Sequence, residues 1–400
     1  MAVAVICEFN PFHYGHKYII ETARRITGEP VVAIMSGSFV QRGEPAVTDK
    51  LERTRAALGN GASLVIELPA VYAVANAQRF AGGGARIANA LKGVNYLAFG
   101  CESDDISLLK RAAAAPSDLR VQSLIKKKMQ QGDYYPRALK NAVREALGDE
   151  TADFLKTPNN ILAAEYLRQL DKRIKPLPVK RIGAAHNSQK LSGKFASASH
   201  IRELLRNGKS AQGFLPEIPK EITYPQRLDT ALLYKMRTIS AQELRALPEV
   251  GEGLENRILA AAKTAVTAEE IISAVKTKRY THARIRRILT CALLGITEEL
   301  QSRKSSYCRV LGFSEEGARL LKNCEFEIVT SAAKGICGEN AEFIKKDILA
   351  ADIAAIAYEN VRPCGEDFCA QIIKAIPHNS GARIAQSDFS PECTNNQRAY

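Results

Sequence analysis

Short apolar runs rich in β-branched residues recur through the first hundred residues, at Ala2–Cys7, Val31–Met35, Leu64–Leu68 and Tyr96–Phe99. Between them lie stretches whose apolar positions return every three or four residues, at His16–Ile26, Asp49–Leu58 and Ala75–Leu91. The apolar runs do not alternate with polar residues, so the strands they predict are covered on both faces. Strand–helix alternation of this kind makes a parallel sheet in an α/β fold. Gly28, Gly59 and Gly93 supply helix stops. A sheet so built gathers its loops at the strand C-terminal ends, where α/β folds bind ligands. Residues 107–175 read as a basic, helical insertion, Val179–Gly183 as a return to the sheet, and Ser197–Arg206 as a further helix. Beyond the proline-bearing Phe214–Pro225 the pattern is mostly helical to about Leu300, which places a domain boundary near residue 210 and two domains at 1–210 and 211–400. The last seventy-five residues, rich in Gly, Cys and Asn, give no readable pattern.

Composition narrows the class. An apolar fraction of 46% and a charged fraction of 25% belong to a folded soluble chain, and no apolar run approaches the length of a membrane span. The N-terminus has no basic start of the secretory kind, and nine cysteines are scattered without regular spacing, so a reduced, cytoplasmic chain is expected. The net charge of +13 is concentrated: residues 111–190 carry +8 and residues 276–325 carry +6, while residues 326–400 carry −3. Two basic segments of this kind suit a localised polyanion such as nucleic acid, although solvated Lys-rich helices would produce the same excess.

The most informative stretch is Glu8-Phe9-Asn10-Pro11-Phe12-His13-Tyr14-Gly15-His16-Lys17. It follows the first strand and runs into a helix. Pro11 stops the strand, Gly15 lets backbone approach a ligand, and His13 and His16 both fall at the helix N-terminus. Free amides and the helix dipole favour phosphate there, and two imidazoles add donors for charge that develops during transfer at phosphorus. No Walker-type glycine loop occurs in the chain, which argues against a P-loop enzyme. Two histidines three apart with no Glu between them, and no Cys pair at ligand spacing, argue against a zinc site, and no resident metal is expected. A second helix start, Ala196-Ser197-Ala198-Ser199-His200-Ile201-Arg202, offers serine caps and an arginine one turn on, either for phosphate or as an ordinary capped surface helix.

Phe9-Asn10-Pro11-x-His13-x-Gly15-His16 resembles the HxGH signature of the nucleotidyltransferase superfamily, and Ser199 with Arg202 resembles its second element. Met35–Ala46, Leu64–Pro69, Pro158–Leu162 and Lys276–Thr281 are similar, in order, to one bacterial group, the tRNA(Met) cytidine acetate ligase family. The resemblance covers roughly residues 1–320. It implies a Rossmann-like HxGH catalytic domain with a mostly helical, tRNA-binding C-terminal domain. It implies a ligase that activates free acetate with ATP to acetyladenylate, then acetylates N4 of the wobble cytidine of elongator tRNA(Met), with Mg²⁺ accompanying ATP and without acetyl-CoA. His13 and His16 would be catalytic. The ATP site would fall on Cys7, Glu8, Phe9, Asn10, Pro11, Phe12, His13, Tyr14, Gly15, His16, Lys17, Tyr18, Ile19 and Ile20, then on Gly100, on Asn159 or Asn160, and on Arg181, Ser199 and Arg202. Cys101 stands where the family is expected to carry Ser, which bears on a side-chain contact there and not on a backbone one.

Lys276, Lys278, Arg279, Arg284, Arg286 and Arg287 crowd thirteen residues that hold no acid, and they are the expected tRNA contacts. The pattern predicts one basic face and one apolar face, with Tyr280 and His282 placed to stack on an unpaired base. Ser38–Glu44, bracketed by Gly37 and Gly43, is expected to form a loop over the nucleotide or acetate, or else to hold a structural Arg–Glu pair. A small-molecule adenylyl- or cytidylyltransferase would use the same histidines, but it has no need of a second domain with a basic run. An RNA-binding protein without activity would need neither histidine.

Overall fold

The structure is a computed structural model and describes residues 1–181, 195–376 and 383–384. The first apolar runs form β1 (Ala2–Cys7) and β2 (Val31–Ser36), followed by a small hairpin of β3 (Phe39–Val40) and β4 (Glu44–Pro45), and then β5 (Ala62–Leu68) and β6 (Val94–Cys101). Strands β1, β2 and β5 are buried along their whole length, as continuous apolar runs require. Their residues alternate between two cores. Ala4, Ile6, Ile34 and Ile66 face one, while Val3, Val5, Ala33 and Val65 face the other. Helix α1 (Tyr14–Thr27) follows β1, and α2 (Lys50–Gly59) is capped by Asp49, whose side chain accepts from the amides of Leu51 and Glu52.

Later strands complete the sheet: β7 (Lys175–Lys180), β8 (Tyr307–Phe313), β9 (Glu327–Val329), β10 (Ile373–Ile376) and β11 (Arg383–Ile384). The order is β7-β6-β1-β2-β5-β8-β10-β11, with β9 also paired to β8. From β7 to β5 every pairing is parallel. The chain leaves β1 toward β2 and β5, then returns to place β6 on the other side of β1. The crevice beyond the ends of β1 and β6 is therefore the topological switch point at which such sheets bind ligands.

Several expectations need correction. Strand β7 starts at Lys175 and ends at Lys180, earlier than Val179–Gly183, and it contains Pro176 and Pro178. Proline argues against a central strand but is tolerated on an edge that donates no ladder hydrogen bond, and β7 is an edge. Ile182 and Gly183 lie outside the described residues. The expected helix Ala75–Leu91 is found at Ala77–Ala90, where the Asn76 cap accepts from Arg79 N–H, and a separate one-turn helix at Ala70–Ala73 precedes it. The insertion is helical as read, with its own small core around Val121, Ala138, Ala142 and Val143. The helical stretch read to about Leu300 runs to Ser302; β8 then enters the main sheet antiparallel to β5, and helices resume beyond it, among them Ala341–Ile356. Seven described cysteines are free thiols. No described helix is long and apolar enough to cross a membrane.

Charge buried at the ends of β2 and β5 fixes the site end of the sheet. Lys50 Nζ lies 2.9 Å from Glu67 Oε1 and 2.8 Å from Asp367, and Arg309 Nη1 lies 2.9 Å from Asp367 and 3.3 Å from Glu67. Two cations thus meet two carboxylates, which ties α2, β5, β8 and the 366–369 turn together. Beside them Arg53, 1% exposed, donates to four backbone carbonyls and, among the described residues, hydrogen-bonds no carboxylate. Its Nη1 reaches Glu8 O and Ser36 O at 2.8 Å each, its Nε reaches Thr48 O at 3.1 Å, and its Nη2 reaches Gly37 O. One side chain thereby ties the loops after β1 and β2 to the start of α2. Arg53→Met keeps the stem and removes every donor, leaving buried carbonyls unpaired at about 1–3 kcal/mol each. Urea titration of this variant is expected to show a loss of at least ~3 kcal/mol; a loss below ~1 kcal/mol would show that the loops hold themselves.

Candidate active site

The turn after β1 is built around His13. Phe9 takes φ 48°, in the left-handed region, and is 1% exposed. Its ring packs edge-on against Phe12 at 4.9 Å and lies 4.9 Å from the His16 ring. Asn10 is 3% exposed, and its Oδ1 accepts from Val47 N–H at 2.7 Å. The turn is thereby pinned to the segment after the hairpin.

His13 is the N-cap of α1, and the two histidines form a reciprocal capping box. His13 Nδ1 accepts from Gly15 N–H at 3.0 Å, and His16 Nδ1 accepts from His13 N–H at 3.3 Å. Their rings stack with centroids 3.8 Å apart. A neutral imidazole that accepts at Nδ1 carries its proton at Nε2, so both rings are set as Nε2–H donors. Burial holds both in the neutral form, with the fields of Arg181 and Arg202 added on His13 and those of His13 and Arg181 added on His16. His13 is pushed down to about 3 and His16 lies well below the usual imidazole range. A Cβ on Gly15 would lie 2.7 Å from His13 Cε1, so glycine is required for the His13 ring to fold back over the helix start.

Other expected residues converge on this turn. Arg181 N–H donates to Cys101 O at 3.1 Å, and the Arg181 stem lies beside Gly100, where a Cβ would sit 3.5 Å from Arg181 Cγ and 3.4 Å from Ile19 Cδ1. Burial and the acids Glu102 and Asp104 push the Cys101 thiol up to about 11, and its Sγ donates to Ser103 O at 2.8 Å. Asn160 is 4% exposed and occupied internally, accepting from Glu102 N–H and donating to Phe154 O. Asn159 is half-buried, and its Nδ2 donates to Glu102 Oε1 at 2.8 Å. Ser197 caps the Ala198–Arg206 helix. Arg202 Nη1 donates to Asn10 O at 2.8 Å and its Nη2 to Ser199 Oγ at 3.2 Å, so this arginine braces the histidine turn from behind. Cys7, Pro11, Phe12 and Ile20 are buried, while Lys17, Tyr18 and Ile19 keep partial exposure along α1. Tyr14 N–H donates to Phe214 O at 3.1 Å. Glu8 Oε1 accepts from Gln41 N–H at 2.8 Å, which ties the β3–β4 hairpin to the same turn.

The basic run is divided by the fold. Its helix spans His282–Leu294 and buries Ile285, Ile288 and Leu289, as the amphipathic pattern required. Lys276, Lys278 and Arg279 are exposed, with Arg279 paired to Glu252. Arg284 donates twice to Glu249 O, and Arg287 holds the Glu249 carboxylate at 2.6 and 2.8 Å, so both are engaged within the fold. Tyr280 contradicts the stacking role expected of it. It is 5% exposed and lies under the guanidiniums of Arg257, Arg279 and Arg284 at 5.7, 6.0 and 5.1 Å, a cation–π nest that leaves no face for a base. His282 Nε2 lies 2.7 Å from Glu269 Oε1.

The same architecture occurs in proteins of known activity. The HIGH Nucleotidyl Transferase family matches residues 1–367. The tRNA(Met) cytidine acetate ligase of Caldanaerobacter subterraneus subsp. tengcongensis is 37% identical over 402 residues, covering 93% of this chain and 99% of that protein. The Clostridium kluyveri ligase of the same name is 36% identical over 395 residues, covering 89% and 95%. The chain belongs to the tRNA(Met) cytidine acetate ligase family. Thermotoga maritima TmcAL superimposes with a TM-score of 0.87 in its apo form and 0.85 in a form bound with alpha-thio ATP. Both are 29% identical and cover 93% of this chain and 99% of theirs.

Membership explains which loops are organised, and two organising residues escaped the sequence reading. Arg53 sits at a helix position that reads as solvent-facing. Glu44, 6% exposed, gathers Arg202, Arg206 and Arg286 at 3.8, 3.8 and 3.6 Å, so the Arg–Glu contacts left open as the alternative for this loop involve arginines from outside it. Histidine ¹⁵N spectra are expected to show His13 and His16 in the Nε2–H form from pH 8 to about 5.5, and a midpoint near 6.5 for either ring would contradict the geometry. Unfolded histidines take up protons below about pH 6.5 and these two do not, so both subtract stability as the pH falls through that value.

Proposed function

We propose that this chain activates acetate with ATP and passes the acetyl group to N4 of the wobble cytidine of elongator tRNA(Met). The observation that supports the reading is the pair of neutral Nε2–H donors stacked at the N-terminus of α1, in a chain whose relatives carry that activity in their names. In the first step an acetate oxygen attacks the α-phosphorus and pyrophosphate leaves. In the second the cytidine amine attacks the acyl carbon and AMP leaves. His13 and His16 add oriented donors without adding charge at the N-terminus of α1. Positive charge comes from Arg181 and Arg202, whose fields already reach the His13 ring.

Of the two candidate asparagines we assign Asn159 to the nucleotide, because Asn160 is buried and occupied at both ends of its amide. Mg²⁺ enters on the ATP phosphates. Among the described residues no group of three His, Cys, Asp or Glu side chains is placed to hold a metal. In this reading residues 1–210 carry the ATP chemistry and residues 211–400 carry RNA contacts, led by the exposed Lys276, Lys278 and Arg279. No residue needs to deprotonate the amine if the adenylate is held in line with it.

Incubation with labelled acetate and ATP tests both steps. Acetyladenylate is expected without RNA, and N4-acetylcytidine on addition of unmodified tRNA(Met). Adenylate formation that required a phosphorylated metabolite and ignored tRNA would favour a small-molecule nucleotidyltransferase. His13→Ala and His16→Ala are each expected to slow acetate-dependent pyrophosphate exchange by about 10²–10³. Near-normal exchange in both would remove the histidines from the transition state.

A further inference from the structure

An open basin of about 370 Å³ lies beside the histidine turn and is lined by Arg42, Arg202, Arg206 and Arg286 against Glu44 and Glu203. Four parts of the chain contribute: the β3–β4 hairpin, the Ala198–Arg206 helix, Gln226 of the Pro225–Leu228 turn and the His282–Leu294 helix. Close packing joins the first and last. Thr290 Oγ1 donates to Gly43 O at 2.7 Å, and a Cβ on Gly43 would lie 2.8 Å from Arg287 N.

The basin carries more positive charge than its own acids satisfy. Glu44 is the carboxylate at its centre, yet its ion pairs span 3.6–3.8 Å, beyond hydrogen-bond length. It gathers the guanidiniums without saturating their N–H groups. Arg42 is exposed and has no hydrogen bond or ion pair among the described residues. Arg206 Nη2 is buried with no hydrogen-bond partner among the described residues, and burial together with Arg202 and Arg286 holds the Arg206 guanidinium below its ordinary range. Arg286 keeps Nη2 on Glu269 at 2.8 Å, with Nη1 turned toward Glu44. Like charges held this close, with planar donors left over, suit a tetrahedral oxyanion bound by more than one fork.

We propose that this basin seats a backbone phosphate of the RNA acceptor, beside the nucleotide that presents its amine. The inference rests on the RNA acceptor proposed above and adds Arg42 and Arg206 to its contacts. Two features favour an RNA phosphate over a phosphate of ATP. One wall belongs to the His282–Leu294 helix, which directly follows the exposed cations Lys276, Lys278 and Arg279, so a strand lying on those cations continues into the basin. Arg202, the lining residue that bonds the histidine turn, has both terminal nitrogens committed to Asn10 O and Ser199 Oγ, so the donors left over in the basin are those of Arg42, Arg206 and Arg286. The seat is also linked to the chemistry, because Gln41, next to Arg42, holds Glu8, and Arg202 holds Asn10.

The test is the salt dependence of binding of an unmodified tRNA(Met) transcript to the full chain, for wild type, Arg42→Gln and Arg286→Gln. Arg42 is exposed and makes no hydrogen bond or ion pair among the described residues, so its variant is the cleaner of the two. Each substitution is expected to reduce the slope of log K against log salt by about 0.7–0.9, the share of one phosphate contact. Binding at about 0.15 M salt should weaken on the order of tenfold. Wild-type slope and affinity in both variants would overturn the seat while leaving the acceptor reading intact. Weakened ATP binding with an unchanged tRNA slope would assign the basin to the nucleotide and also overturn it. Wild-type protein that binds no tRNA would remove the acceptor reading and the seat together.

Discussion

The site depends on one buried cation without an acidic hydrogen-bond partner. Arg53 holds the carbonyls of Glu8, Ser36, Gly37 and Thr48, the points where the chain leaves β1, leaves β2 and prepares to enter α2. Carbonyls at strand ends have no ladder partners, and burying them unpaired is costly. Lysine reaches as far but has three donors on one atom, whereas the guanidinium fork can meet carbonyls on several sides at once. With those ends fixed, the turn that carries His13 and the hairpin that carries Arg42 and Glu44 share one support. The ionic cluster of Lys50, Glu67, Arg309 and Asp367 extends the same end of the sheet into the C-terminal part of the chain.

On that support the chain separates two electrostatic tasks. The histidines are neutral, stacked and committed at Nδ1, so they contribute direction through their Nε2–H groups. Arginines contribute charge, and they are kept from collapsing onto the nearest acid by geometry: Glu44 stands 3.6–3.8 Å from three of them. A phosphate-handling site gains from the division. Neutral donors do not titrate in the working range, while guanidiniums stay charged through it.

Legibility in the sequence followed the range of the interactions. Strands β1, β2, β5 and β6 and helices α1 and α2 declare themselves by local period, and the histidine turn by its spacing, so the sheet centre and the site's position were readable. Strand β8 was not, because it pairs with β5 some 240 residues earlier and its apolar run follows a long helical stretch. Strand β7 was misplaced by its prolines, whose tolerance depends on an edge position that local pattern does not reveal. Tyr280 looked like a stacking platform because an aromatic among arginines suits RNA, yet the same composition also makes an internal cation–π nest. Arg53 and Glu44 belong to the same class of omission. A charged residue is read from sequence as solvent-facing, and only the tertiary fold shows which carbonyls or guanidiniums surround it.

In the proposed reaction the histidine turn promotes attack by acetate on the α-phosphorus of ATP, and acetyl transfer follows from the adenylate. Acetate labelled with ¹⁸O in both carboxyl oxygens tests it in one reaction with ATP and unmodified tRNA(Met), read by the mass of the AMP released. The account predicts one ¹⁸O in each AMP, since the attacking oxygen stays on phosphorus when the amine takes the acyl group. Unlabelled AMP alongside acetylated tRNA, or ADP in place of AMP, would contradict it.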